Sequence, residues 1–516
     1  MSEGAAPAPA AKSRFLLLGA ILFLASAYFY QDPEWNGNSR LDLTRAVVEQ
    51  NTLTIDKYES LPQWETGDKA LCNGHYYSDK AIGSSLFALP IYFVIFRLSD
   101  LFSIALDSST VKHILTTIVL GGAFTATGLA MYMIAERLTR SAWKAVVPTL
   151  GLAFGTMLWP YSAVYYGHVI AAALLAIAFW LLFKMSEDLA GVSGPRLFAV
   201  GLVVGLAFIT EYTTALIIAG LIPFAVYALR RTGVGGTARA AGFAVAGAAI
   251  PLALALGYNA RVYGSVFATG YAFEVENRFA QGMSQGILGI GQPSLTAIYH
   301  ITVDPQFGII WQSPILLIAP IGYLVALNSA RFRAAGLLSL YAALAMLAMN
   351  GGYYLWWGGS AFGPRLMIPA LPFLIVPIAV LSDALTWLVG VLGIVSSAQM
   401  LIPLMGQIQP TLLVYRPHRE MFYVANAPFT GFSLLYNYGL PQIERQYLAG
   451  RPAWTLGAAL GIPYVLSVPA LIGAEVALLW RLRRQVASAG AEPGARAAAT
   501  RPERSQVAEP RTPSRR

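Results

Sequence analysis

The side chains able to do chemistry in this chain crowd into one polar insert, Asn36 to Gly83, and a few outlying positions. Within the insert, Asp42, Arg45 and Glu49 recur at helical spacing on one face, with Leu43, Ala46 and Val47 on another. A helix of that kind, capped by Asn38 or Ser39, can lie along a membrane surface, and Asp42 on it is a carboxylate able to take a proton from a hydroxyl. The plainer account of the same face is a solvated Asp42–Arg45 pair. Farther on, Gly74-His75-Tyr76-Tyr77-Ser78-Asp79-Lys80 sets a second acid beside an ammonium, just ahead of an apolar stretch at 84–98. Cys72, His75 and Asp79 also show a C-x-x-H-x-x-x-D spacing, but three ligands on one loop make a weak set, and no metal is assigned.

Late in the chain, Arg365 stands at the head of an apolar run, behind Trp356 and Trp357. A guanidinium at a water–lipid boundary can grip a phosphate through two N–H groups, and the tryptophans serve equally as a sugar-stacking platform or an interfacial belt. His168 and Glu211 fall near the ends of short apolar segments, where a polar group either satisfies the interior of a bundle or lines a cavity.

The elements that must position these groups are membrane elements. The 516 residues are 56% hydrophobic and 12% charged, with a mean hydropathy of +0.57. A soluble domain carries about 25% charged residues, so this is an all-α polytopic membrane protein. The net charge of +9 is mostly a tail: nine of the 35 basic residues are arginines after Trp480, which argues against a nucleic-acid partner. One cysteine excludes an intramolecular disulfide. No P-loop, dinucleotide fingerprint or G-x-S-x-G is present.

Lys12 and Arg14 precede an apolar run from Phe15 to Tyr30 that reads as an uncleaved anchor; Ala25-Ser26-Ala27 resembles a processing site, but the run continues beyond it. Apolar segments follow at 113–134, 145–159, 166–183, 197–210, 213–229, 240–258, 309–328, 335–350, 366–381, 385–404 and 457–480, about twelve transmembrane helices with the anchor. Several fall short of the ~20 residues a perpendicular span needs, as expected of a bundle around a cavity. If 84–98 lies on the surface, one side carries 21 Lys and Arg against eight acids, and the other 14 against 17. That is the positive-inside pattern. It puts both termini in the cytoplasm and the loops 31–112, 259–308, 351–365 and 405–456 outside, the last as a cap. Residues 1–14 and the basic tail 485–516 read as disordered, flanking one membrane domain at 15–484.

In its order of parts the chain resembles the C-type, polyprenyl-phosphate-dependent glycosyltransferases, the superfamily of the protein O-mannosyltransferases and the lipid A aminoarabinose transferase. The motifs that carry this are the amphipathic helix around Asp42, the Gly74–Lys80 run, and Arg365-Leu366-Met367-Ile368-Pro369 through Pro372; Asp304-Pro305 through Pro314 and Tyr258 through Tyr271, which includes Arg261, are similar at lower specificity. The usual opening acids fall on Asn36-Gly37 here, so Asp42 is the nearest acid on the right helix.

The resemblance implies an inverting transferase of the bacterial inner membrane. Its active site would face the periplasm, and it would move a sugar from a polyprenyl-phosphate donor to a lipid or glycan acceptor of the cell envelope. Asp42 or Asp79 would be catalytic, Lys80 and Arg365 would bind the donor phosphate, and Arg45, His75, Tyr77, His168, Glu211, Arg261, Asp304, Trp356 and Trp357 would line the substrate cavity. No cofactor is expected, with room left for a divalent cation. Two other classes stay open on the residues alone: a transporter or lipid flippase, and a non-catalytic membrane scaffold.

Overall fold

The computed structural model describes residues 9–499 other than 106, 189–191, 306, 360–361, 409–412, 417–420, 425–439 and 451. Helix α1 (Pro9–Ala27) leads through a short strand β1 (Phe29–Tyr30) into α2 (Glu34–Gln50), the hairpin β2 (Lys69–Cys72) and β3 (His75–Ser78), and α3 (Gly83–Phe102). Helix α4 (Ser108–Leu115) runs through a π-turn into α5 (Gly121–Thr139), followed by α6 (Ala142–Phe154), α7 (Gly167–Glu187), α8 (Gly194–Thr210), α9 (Ala215–Leu229) and α10 (Gly233–Tyr263). A segment with short helices α11 (Asn277–Met283), α12 (Leu295–Thr302) and α13 (Ile309–Gln312) precedes α14 (Ala319–Asn328), α15 (Arg333–Gly352) and α16 (Ile375–Met405). The ribbon β4 (Leu413–Arg416)–β5 (Met421–Val424), α17 (Leu440–Leu448), β6 (Trp454–Thr455) and α18 (Leu456–Ala459) lead to α19 (Tyr464–Ala499). Strand β6 pairs with β1, tying the end of the anchor to the start of the last helix.

Among the described residues, eight helical stretches are long and apolar enough to cross a membrane, and three shorter apolar helices accompany them. Breaks fall where the chemistry puts them. Pro369 and Pro372 deny the run Arg365–Leu374 its i→i−4 bonds, and it forms a 3₁₀ helix. Leu385 is non-helical and divides α16 into two spans on either side of Asp383. At the other end of the chain, α19 continues as helix to Ala499, into the stretch read as disordered tail. Of the loop 405–456, read as a cap, residues 409–412, 417–420, 425–439 and 451 lie outside the described residues.

Helix α3 is long and apolar enough to span, yet both its ends are held at one end of the bundle. Gly83 packs on Thr210 at the end of α8, and Ser84 accepts a hydrogen bond from Arg40. Beyond its last turn, Ser108 accepts from Trp64, and Lys112 pairs with Asp32. Five residues separate Phe102 from Ser108, a reach of at most ~20 Å against the ~30 Å of a bilayer core. The end of α3 therefore stays on the side of the bundle that holds its start, with Phe93, Leu98, Leu101 and Phe102 exposed.

The polar insert departs from its sequence reading. Helix α2 starts at Glu34 behind Pro33, so Asn38 and Ser39 are interior positions, not caps. Nor is its charged face solvated: residues Gly37 to Thr44 are buried, and α3 covers it. A hairpin also appears within the expected all-helical insert, turned by Asn73 and Gly74, both at positive φ as a type I′ turn requires.

At the opposite end of the bundle, Arg137 pairs with Glu187, Arg331 donates to the carbonyl of Arg137, Arg483 lies over Trp143, and Gln485 donates to Ser13. The basic loops and both terminal helices thus share that end.

Helices α8 and α10 approach on small residues: a Cβ at Gly201 would clash with the Ala244 carbonyl, and one at Gly247 with that of Phe198. Gly201→Leu should therefore lower the thermal midpoint, by about 1–3 kcal/mol of stability or more. Gly242→Leu, on the same helix pair with open space around it, should not. Equal midpoints for the two variants would show that the helices do not cross there.

Candidate active site

Beside the hairpin, at the end of the bundle that holds the insert, is a cavity of about 120 Å³. Helix α2 contributes Asn36 and Arg40; Asp68 and Lys80 come from the two sides of the hairpin; His168 comes from the first turn of α7, and Glu211 from the residue that ends α8. Tyr271 and Glu274 close it from the turn after α10, Tyr353 and Tyr354 from the end of α15, and Arg365 from the 3₁₀ run. Two glycines permit these approaches. A Cβ at Gly270 would strike the backbone of Asp79, and one at Gly167 the carboxylate of Glu211.

Three cations meet here in different states of pairing. Arg40 is 3% exposed and fully engaged: it donates to Glu211 at 3.0 Å, Ser84 at 2.7 Å and Asn36 at 3.3 Å. Lys80 bridges Asp79 at 2.5 Å and Asp68 at 3.0 Å, while Ser39 donates to the other oxygen of Asp79. Burial pulls the Lys80 ammonium down, but Asp68 and Asp79 outweigh it and hold it well above its usual range. Arg365 is the exception: among the described residues it has no carboxylate partner. Its Nε is buried without a hydrogen bond, and its guanidinium rests 4.8 Å over the Tyr166 ring. Gly358, at φ +79°, lets the chain pass against the Arg365 side chain. Glu274 completes the set: burial first, then the neighbouring Asp79, push its carboxyl up to about 10, so it keeps its proton at neutral pH.

Of the sequence-derived site residues, Lys80, Arg365, His168 and Glu211 line this cavity, and Asp79 holds Lys80 from behind. His168 lies 3.6 Å from Glu211. Asp42, first choice as the base, does not line it. Its carboxyl is fully buried, with neither oxygen partnered; burial pushes it well above the carboxylate range in spite of Arg45 and Lys112. Arg45 belongs to that separate cluster, bonded to Glu49 at 2.8 Å and set against the rings of Tyr58 and Trp64. His75, Tyr77 and Arg261 line another depression, beside Asn51 and Asn73, where His75 pairs with Asp56 at 2.7 Å. Asp304, Trp356 and Trp357 form a buttress instead: Asp304 accepts from His300 at 2.7 Å, His300 stacks on Trp356 at 5.3 Å, and Trp356 packs edge-on against Trp357.

The C-x-x-H-x-x-x-D spacing does not close in space. Cys72 faces His75 across the hairpin, whereas Asp79 turns to Ser39 and Lys80. Among the described residues, no group of three or more His, Cys, Asp or Glu is placed to hold a metal.

Sequence reasoning missed Arg40, Asp68, Tyr271, Glu274 and the Tyr353–Tyr354 pair. A signal for Arg40 existed: Glu211, an acid ending an apolar segment, demands a buried cation. Glu274 carried none, because only the close packing of Gly270 on Asp79 brings it to Lys80.

No family model and no curated protein matches the sequence. Among solved structures, the chain resembles a crystal structure of ArnT from Cupriavidus metallidurans bound to undecaprenyl phosphate, with a TM-score of 0.50 and 13% identity over 93% of this chain and 76% of that one. The apo state of the same protein gives 0.47 and 13% over 92% and 74%. At such identity the likeness to the undecaprenyl phosphate-bound structure is one of fold: the chain has the polytopic helical membrane fold of that transferase.

Glu274 supplies a test of the site's electrostatics. Its carboxyl titrates near 4.5 when unfolded and near 10 when folded, so between those values the native state binds a proton the unfolded state has released. Its contribution makes stability fall as pH rises through that window, by up to ~1.4 kcal/mol per unit. Glu274→Gln should remove that slope in unfolding measurements from pH 5 to 9. An unchanged slope would mean that Glu274 is ionised in the folded protein.

Proposed function

We propose that the protein is a membrane glycosyltransferase that moves a sugar from a polyprenyl-phosphate carrier to an acceptor hydroxyl, on the non-cytoplasmic face of a bacterial inner membrane. The observation that carries this reading is the convergence of Lys80 and Arg365, from opposite halves of the chain, on one cavity in which Arg365, among the described residues, makes no ion pair. The fold likeness to a transferase whose crystal structure holds undecaprenyl phosphate supports the choice of donor. The gathering of Arg137, Arg331, Ser13 and Gln485 at the other end supports the orientation, with both termini in the cytoplasm.

In this reading the donor phosphate lies against Arg365, with Lys80 as the second cation. The acceptor oxygen bonds to the anomeric carbon from the face opposite the phosphate, inverting it. The carbon–oxygen bond to the phosphate breaks, and its electron pair stays on the departing phosphate. The hydroxyl proton passes to a carboxylate within reach. Asp68 lines the cavity and takes this role in place of Asp42; Asp79 orients Lys80. Glu274, holding its own proton, is no base. Because the leaving group is already a phosphate, the main catalytic contribution is the cations facing the charge that builds on it.

The cavity lies below the ~300–1,000 Å³ usual for ligand sites. Admitting a sugar therefore requires its α11 and Tyr353–Tyr354 wall to move.

Arg365→Ala and Lys80→Ala should accumulate normally in membranes yet transfer sugar from a purified polyprenyl-phosphate donor about a hundredfold more slowly, or ~3 kcal/mol. Asp68→Asn should fall as far, and Asp42→Asn less. Full turnover by Arg365→Ala would remove it from the site. Lipid movement without sugar transfer by the unaltered protein would replace the transferase with a flippase.

A further inference from the structure

The end of the bundle away from the active site holds a larger cavity, about 500 Å³, between the ends of α5, α7, α9 and α15. Its deep wall is apolar and buried: Leu138, Phe183 and Phe224, from three different helices. Its rim is cationic. Arg230, Arg231 and Arg331 line it, and Glu187 is the one carboxylate in the lining, already spent on Arg137 at 2.8 Å. The three guanidiniums are thus without acidic partners in the lining. Arg230 lies over the Tyr227 ring at 3.7 Å and donates to its carbonyl; Arg331 donates to the carbonyl of Arg137 and lies over Phe332. These contacts fix the two side chains without neutralising them. Burial first, then the nearby Arg140, pull the Arg331 guanidinium down, and the opposing pull of Glu187 does not make up the difference.

A cavity with one apolar wall and a rim of guanidinium groups at the end of membrane helices has the chemistry of one class of ligand: an amphiphile with a phosphate at its polar end. We infer that this cavity binds the headgroup of an anionic phospholipid, its phosphate held by Arg230, Arg231 and Arg331 and the start of an acyl chain lying against Phe183 and Phe224. The lipid would fix the ends of four helices that otherwise meet as a cluster of like charges. This site lies apart from the transferase cavity and stands whether or not that reading holds.

The test uses the full chain in detergent, titrated with cardiolipin, with phosphatidylcholine and with inorganic phosphate, reading the thermal midpoint and the lipid retained in native mass spectra. Cardiolipin should raise the midpoint and remain bound, and the other two should not. The Arg231→Gln/Arg331→Gln double variant should bind cardiolipin on the order of 30-fold more weakly, from about one decade of affinity per 1.4 kcal/mol and roughly 1 kcal/mol for each arginine lost. The matching double lysine variant keeps the charge and should retain most of the binding, which separates loss of charge from misfolding. Equal cardiolipin binding by the glutamine variant and the unaltered protein would overturn the inference. So would equal protection by inorganic phosphate, which would make this a site for a free anion.

Discussion

Two buried ion clusters hold the polar insert onto the helices: Arg40 with Glu211, and Lys80 between Asp68 and Asp79. The first joins distant parts of the chain, α2 to the end of α8; the second closes the base of the hairpin, and Ser39, donating to Asp79, ties it to α2. Removing one partner of such a pair strands the other in a medium that cannot solvate it, at a cost of about 3–5 kcal/mol. The insert therefore cannot drift as a solvated loop. Its polar groups are satisfied only when α2, the hairpin and the turn at Gly270 are seated against α7 and α8, and the cavity is the space that seating leaves.

The same constraint explains what could be read from the sequence. Long apolar runs became helices, because in lipid the backbone has few other ways to satisfy itself. The charge balance of the loops argued for 84–98 on the surface, and the contacts flanking α3 hold its two ends at one end of the bundle. The helical wheel of α2 misled, since amphipathicity assumes that a polar face meets water. Here Arg45 and Glu49 meet Tyr58, Trp64 and Tyr92 instead. The pairing that matters, Arg40 with Glu211, depends on residues far apart in the chain, which no local periodicity encodes. The hairpin was legible in principle, through Asn73-Gly74 between two short alternating runs, but its neighbours read as the flank of a charged motif.

The two ends of the bundle solve opposite electrostatic problems. Around the cavity beside the hairpin, acids and bases are matched nearly one to one, and the third acid of the Lys80 cluster escapes repulsion by keeping its proton. At the other end, cations outnumber acids and are held by rings and backbone carbonyls. A matched set is stable without a ligand and can be rearranged by one. An unmatched set is stable only where water or an anion lies within reach.

Arg365 belongs to neither pattern. It shares a cavity with matched charges and yet, among the described residues, makes no ion pair: it rests on Tyr166, its buried Nε has no acceptor, and Asp68 acts on it from farther off. Had the chain placed a carboxylate there, the guanidinium would be more stable at rest, and a phosphate would have to displace that partner before being held. An interaction strengthens catalysis only to the extent that it improves between ground state and transition state. A cation left unsatisfied by the protein has the most to gain as charge accumulates on a departing phosphate, whereas Lys80, bound to two acids, has less. In the proposed transfer, that argument gives Arg365 the larger share of the electrostatic work, and the carboxylates around Lys80 serve first to hold it still.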